Sequence, residues 1–126
     1  MIEISNAELE VMKVLWHEAP LPAATIVARL QHTSDWQAKT IKTMLNRLVQ
    51  KGALDYQQQG RAYLYQPAIA QNDYQRHAGQ HFVKRLFSGK VAPLVASFAD
   101  ADNLSQDDIA ELKALLAKLE QEQQHD

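Results

Sequence analysis

Between positions 38 and 51 this chain carries residue types that can recognise nucleic acid: Lys39, Thr40, Lys42, Thr43, Asn46, Arg47 and Gln50, interleaved with Ile41, Met44, Leu45, Leu48 and Val49. At roughly 100° per residue the apolar set falls on one side of a helix. Lys39, Thr43, Asn46 and Gln50 fall on the other, flanked by Thr40, Lys42 and Arg47. A helix entering the major groove needs this mixture, with amides and hydroxyls for base edges and cations for phosphates. Asn46 suits adenine, and Arg47 or Lys39 suits guanine or phosphate. An ordinary solvated face mixes Lys with Glu. This segment has no acid, which favours DNA over bulk water as its counterpart.

Other candidates are weaker. Arg61 sits beside Gly60 in turn material, where a wing would lay a cation along the backbone or minor groove. Tyr56, Tyr63 and Tyr65 stand near basic residues, but their alternation points to cross-strand packing against the helices rather than base stacking. Trp16 and Trp36 read as core residues or as residues packed where a helix begins. Asp73, His77 and His81 follow i, i+4, i+8 spacing and could offer two imidazoles and a carboxylate to zinc or nickel. No cysteine supports such a site, and two ligands one turn apart arise easily by chance, so no metal or other cofactor is expected. There is no Gly-rich phosphate loop, no His-Glu-x-x-His and no Gly-x-Ser-x-Gly, which argues against an enzyme.

Specific elements must position these residues. Ser5-Asn6-Ala7-Glu8 has the spacing of a capping box, and Leu9, Val11, Met12, Leu15 and Trp16 follow at helical spacing. The first helix is expected over Asn6 to Ala19, broken by Pro20 and Pro22. The second runs from Ala23 to Leu30, burying Ile26, Val27 and Leu30. A polar loop covers Gln31 to Asp35. The third helix runs from Gln37 or Ala38 to Lys51, and Gly52 follows its end. The pattern then shifts to alternation: Leu54 to Gln57 and Ala62 to Tyr65 flank Gln59-Gly60 as a β-hairpin that Pro67 ends. Helical spacing returns from Gln71 or Asn72 to Ser88-Gly89, and a short segment carries Val91, Leu94, Val95 and Phe98. A last helix follows the Ser105-to-Asp108 cap. Its Ile109, Leu112, Leu116 and Leu119 form a heptad-like seam suited to dimerisation.

The expected fold is therefore mainly α with a small β-hairpin wing: a winged helix-turn-helix domain over residues 1–70 and a helical dimerisation domain over 71–126, hinged near Ala68 to Asn72. Apolar residues make up 46% of the chain and charged residues 22%, enough to fold. The net charge of −2 hides a segregation. Trp36 to Gln66 holds five bases and one acid, whereas the segment from Ser97 onward holds two bases and eight acids. One half is suited to a polyanion and the other is not. The absence of cysteine fits a reducing compartment. No signal peptide or membrane span is visible, so a cytoplasmic location without membrane insertion is expected.

Three stretches carry a family resemblance. They are Ser5-x-x-Glu8-x-x-Val11-Met12-x-x-Leu15-Trp16, the run Lys39-Thr40-Ile41-Lys42-Thr43-Met44-Leu45-Asn46-Arg47-Leu48-Val49-x-Lys51-Gly52-Ala53-Leu54, and Gly60-Arg61-Ala62-Tyr63-Leu64-Tyr65-x-Pro67. They resemble the penicillinase repressor family of the BlaI/MecI/CopY type. The likeness extends to Leu86-Phe87-x-Gly89 and Ala92-Pro93-Leu94-Val95 in the tail. It implies a homodimeric winged-helix repressor on a pseudo-palindromic double-stranded operator, with Lys39 to Arg47 in the major groove and Arg61 on the wing. It also implies induction by a membrane-bound sensor protease that triggers cleavage of the tail. The bond would be Ser97–Phe98, where better-known members carry Asn-Phe. Absence of cysteine excludes the Cys-rich metal site of the copper-responsive branch and places the likeness nearer the BlaI/MecI branch. Implied targets are β-lactamase or cell-wall genes.

Two other readings stay open at this level. One is a repressor of the same fold relieved by a small molecule or metal through His77 and His81. The other is a winged helix used only for protein contact, against which the acid-free third helix argues.

Overall fold

The computed structural model describes residues 2–124. Helix α1 (Asn6–His17) begins where the capping box places it. The Glu8 amide donates to Ser5 Oγ at 3.1 Å and the Ser5 amide donates to Glu8 Oε1 at 2.9 Å. The helix ends at His17 rather than Ala19, because Glu18 adopts extended backbone. The proline-rich break then forms a short strand, β1 (Leu21–Pro22), which the sequence did not announce. Its pairing is set by tertiary placement, and a proline is tolerated there because a sheet edge needs no donor on its outer side.

Helix α2 (Ala23–Gln31) buries Ile26, Val27 and Leu30 as expected. The turn after it is held by side chains: Ser34 Oγ donates to the Leu30 carbonyl at 2.8 Å and Gln31 Nε2 to the Trp36 carbonyl at 3.2 Å. Helix α3 (Ala38–Lys51) follows and stops at Gly52, whose φ of 83° lies in the left-handed region that favours glycine. Strands β2 (Leu54–Gln59) and β3 (Ala62–Pro67) form the hairpin, turning at Gly60. The sheet order is β1-β3-β2, with Leu21 opposite Tyr65 and Tyr56 opposite Tyr65 on the other side.

One core joins these elements. Val11, Met12 and Leu15 of α1, Ile26, Val27 and Leu30 of α2, and Ile41, Met44, Leu45 and Leu48 of α3 meet Leu21, Ala53 and Leu54. Three helices followed by a hairpin wing make this a winged helix.

Helix α4 (Gln71–Phe87) starts against that core. Trp16 Nε1 donates to the Ile69 carbonyl at 3.0 Å, and the Trp16 and Tyr74 rings lie 5.9 Å apart. The chain divides inside α4 into two compact units, one ending at Ala78 and the other beginning at Gly79. The second unit holds the end of α4, α5 (Val91–Asp100) and α6 (Gln106–Gln124). The capping expected at Ser105 forms, with the Asp108 amide donating to Ser105 Oγ at 3.0 Å. Among the described residues of this unit, none is fully buried. No helix among the described residues is long and apolar enough to cross a membrane.

Candidate nucleic-acid interface

Helix α3 has two unlike sides. Ile41, Met44, Leu45 and Leu48 are buried in the core. Lys39, Thr40, Lys42, Thr43, Asn46, Arg47 and Gln50 are all solvent-exposed. The apolar side fixes the helix, so the polar side is presented on a rigid support. Thr43 Oγ1 donates to the Lys39 carbonyl one turn back at 3.0 Å, which uses its proton and leaves the oxygen able to accept. Lys39, Lys42 and Arg47 make no ion pair among the described residues. Their charge is available to a polyanion.

The fourth cation of this helix behaves differently. Lys51 Nζ lies 2.6 Å from Glu8 Oε1. Glu8 is only 3% exposed and is the one buried charged side chain among the described residues. Burial pushes its carboxyl up, but the Lys51 hydrogen bond and those with the Ser5 backbone and side chain outweigh burial and hold it below the usual carboxylate value. Sequence reading counts Lys51 with the basic surface and Glu8 with a local cap. That they meet across 43 positions is a tertiary fact, signalled in the sequence only by an acid at the third position of α1.

Arg61 is exposed next to the hairpin tip and likewise unpaired among the described residues. The three wing tyrosines pack on one another: Tyr56 meets Tyr63 edge-on at 5.0 Å and Tyr65 at 5.9 Å. Only Tyr65 also packs against the core, while Tyr56 and Tyr63 stay about half exposed. The expected packing against helices therefore holds for one of the three: Tyr65 lies on the central strand β3, whereas Tyr56, opposite it, lies on the edge strand β2 and Tyr63 lies nearer the hairpin tip.

In the second unit, Ile109, Leu116 and Leu119 are exposed and Leu112 is half-buried, all on α6. Ser97 and Phe98 are exposed within α5, where Ser97 Oγ donates to the Leu94 carbonyl at 2.7 Å. Asp73 pairs with Arg76 at 3.8 Å, and no group of three or more His, Cys, Asp or Glu is arranged for a metal ion among the described residues. His77 and Asp73 instead line an open apolar cavity of about 360 Å³ with Ile2, Ala68, Ile69 and Tyr74 in the first unit. His81 belongs to the second unit.

The family description "Penicillinase repressor" matches residues 4–118. The chain is 40% identical over 114 residues to the penicillinase repressor of Bacillus licheniformis, covering 90% of this chain and 89% of that protein. It is 34% identical over 116 residues to the methicillin resistance regulatory protein MecI of Staphylococcus aureus strain N315, covering 92% and 94%. The solution structure of monomeric Bacillus licheniformis BlaI in complex with the blaP half-operator superposes with a TM-score of 0.53 at 47% identity, covering 59% of this chain and 92% of that one.

Proposed function

The chain belongs to the penicillinase repressor family, a family of DNA-binding regulators rather than enzymes, and from that premise we propose that it is a transcriptional repressor that binds a pseudo-palindromic operator as a homodimer. The observation that carries this reading is the exposed, acid-free face of α3, rigidly backed by the core and bearing three cations unpaired among the described residues, beside Thr40, Thr43 and Asn46. Cations supply sequence-independent attraction to phosphates, and Asn46 with Arg47 or Lys39 supplies base discrimination. Arg61 on the wing adds a contact beside the main groove.

One such module reads only a few base pairs. Two modules held at fixed spacing read half-sites one helical turn or a multiple apart, and the second binding event becomes intramolecular, which multiplies affinity. Residues 71–126 supply the joint. The apolar side chains that α6 leaves in water support this assignment: Ile109, Leu116 and Leu119, with half-buried Leu112.

Release follows the same arithmetic. Cutting the tail at Ser97–Phe98 removes α6, reduces the dimer to two weak monomers and frees the operator. Exposure of both residues supports access, and their place inside α5 means that the helix must unwind locally for a protease to bind an extended strand. A membrane-bound sensor protease is the proposed partner, acting on a cytoplasmic repressor of β-lactamase or cell-wall genes.

The experiment is a gel-shift titration of the full chain on the DNA upstream of its own gene and on a scrambled duplex, at two salt concentrations. A sequence-specific shift that survives higher salt is the expected result. Equal binding to both duplexes, abolished by salt, overturns self-regulation through this operator.

A further inference from the structure

The basic surface of α3 is smaller than its composition suggests, because one of its cations is turned inward. Lys51 occupies the last turn of α3, and its ammonium lies 2.6 Å from Glu8 Oε1. The same Glu8 oxygen accepts from the Ser5 amide at 2.9 Å, while the Glu8 amide donates to Ser5 Oγ. Two donors from distant segments thus converge on one carboxylate oxygen. The Lys51 side chain keeps 37% of its exposure and the Glu8 side chain 4%, so the acid is held in the protein and the lysine is drawn to it. Lys51 also sits where a cation complements the negative end of the helix.

We propose that the Lys51–Glu8 pair is a positioning device for DNA recognition: it fastens the C-terminal turn of α3 to the N-terminal cap of α1 and so sets the angle at which Asn46 and Arg47 meet the bases, while Lys51 itself touches no phosphate. The proposal rests on the reading of α3 as the recognition helix. The geometry favours positioning over contact for a simple reason. To reach a phosphate, Lys51 must abandon a buried carboxylate that has no other cation partner among the described residues, and an uncompensated buried charge is costly. The buried face of α3 already fixes the helix against the core through Ile41, Met44, Leu45 and Leu48, and this pair adds a polar tie at its C-terminal end.

The test compares full-length wild type with K51M, E8Q, K51R and, as a phosphate-contact control, K42A. The probes are a duplex enriched from random sequence by the wild-type protein and a scrambled duplex, each titrated over a range of salt. K51M and E8Q are expected to weaken binding to the enriched duplex about tenfold, within the range that changes remote from a ligand produce. Their salt slope on the scrambled duplex should match that of wild type. K51R, which keeps the pair, should restore specific affinity, whereas K42A should flatten the slope by about one contact. If K51M fails to fold, E8Q and K51R carry the comparison, since neither empties the site of side-chain volume.

A slope reduced by about one in K51M but unchanged in E8Q and K51R makes Lys51 a phosphate contact and overturns the proposal while the DNA reading stands. Wild-type specific affinity in both E8Q and K51M overturns it too. Failure of the wild type to enrich any sequence overturns the recognition reading and the positioning role together.

Discussion

The two units of this chain solve the problem of burial in opposite ways. The first, ending at Ala78, closes a core of thirteen buried apolar residues among those described, drawn from three helices, the sheet and Ala53 between them. The second, from Gly79 onward, has no fully buried residue among those described and leaves Leu86, Val91, Leu115 and Leu116 more than half exposed. A short chain buries a smaller fraction of its surface than a long one, and these exposed apolar residues support the dimerisation proposed for the second unit. The contrast bears on the proposed division of labour: the first unit closes its own core and so can hold the proposed recognition surface rigid by itself, whereas the second, under the proposed homodimer, would complete its burial against a partner.

The strongest way to break that contrast is to charge the α6 seam. Leu112→Asp with Leu116→Asp should abolish the dimer in analytical ultracentrifugation and with it operator binding, while the amide spectrum of the first unit stays native. A double variant that still binds as wild type would remove the seam from the interface. The reverse experiment opens a cavity in the first unit. Leu48 is fully buried, and Leu48→Ala should cost about 3 kcal/mol in chemical denaturation. A loss of only a few tenths would mean that the core relaxes around the gap.

A third experiment separates the roles on α3. Asn46→Ala should cost roughly 1–3 kcal/mol on the operator and relax its sequence preference. Lys42→Ala should instead weaken all sequences alike. Equal losses on specific and random DNA for both variants would merge the roles.

The smallest effect concerns Glu8, whose native pKa lies below its ordinary value, with burial opposing and the Lys51 and Ser5 hydrogen bonds winning. A carboxyl depressed in the native state stabilises the fold at neutral pH and loses that contribution as pH falls through its native pKa. Lys51 is partly exposed, so screening reduces the pair's worth, and Glu8→Gln should lower stability at pH 7 by about 1 kcal/mol. The gap between wild type and variant should close in acid. A gap that persists unchanged at low pH would assign the loss to packing instead of charge.

Much of this was legible from residue order. Ser5 and Glu8 announced a cap that forms with both hydrogen bonds. Ile41, Met44, Leu45 and Leu48 announced the buried side of α3, and with it the opposite side that bears Asn46. Gly52 announced the stop, since a left-handed residue is costly for any side chain bearing a Cβ. These features are local: capping, helical period and glycine backbone freedom act within a few residues, so sequence alone determines them. The pairing of Leu21 and Pro22 with β3, the seat of Trp16 under Ile69, and the inward turn of Lys51 toward Glu8 were decided only in the tertiary structure. Each joins positions more than forty apart, and no local rule specifies which distant group an exposed-looking lysine or an isolated two-residue strand will meet until the core has brought them together.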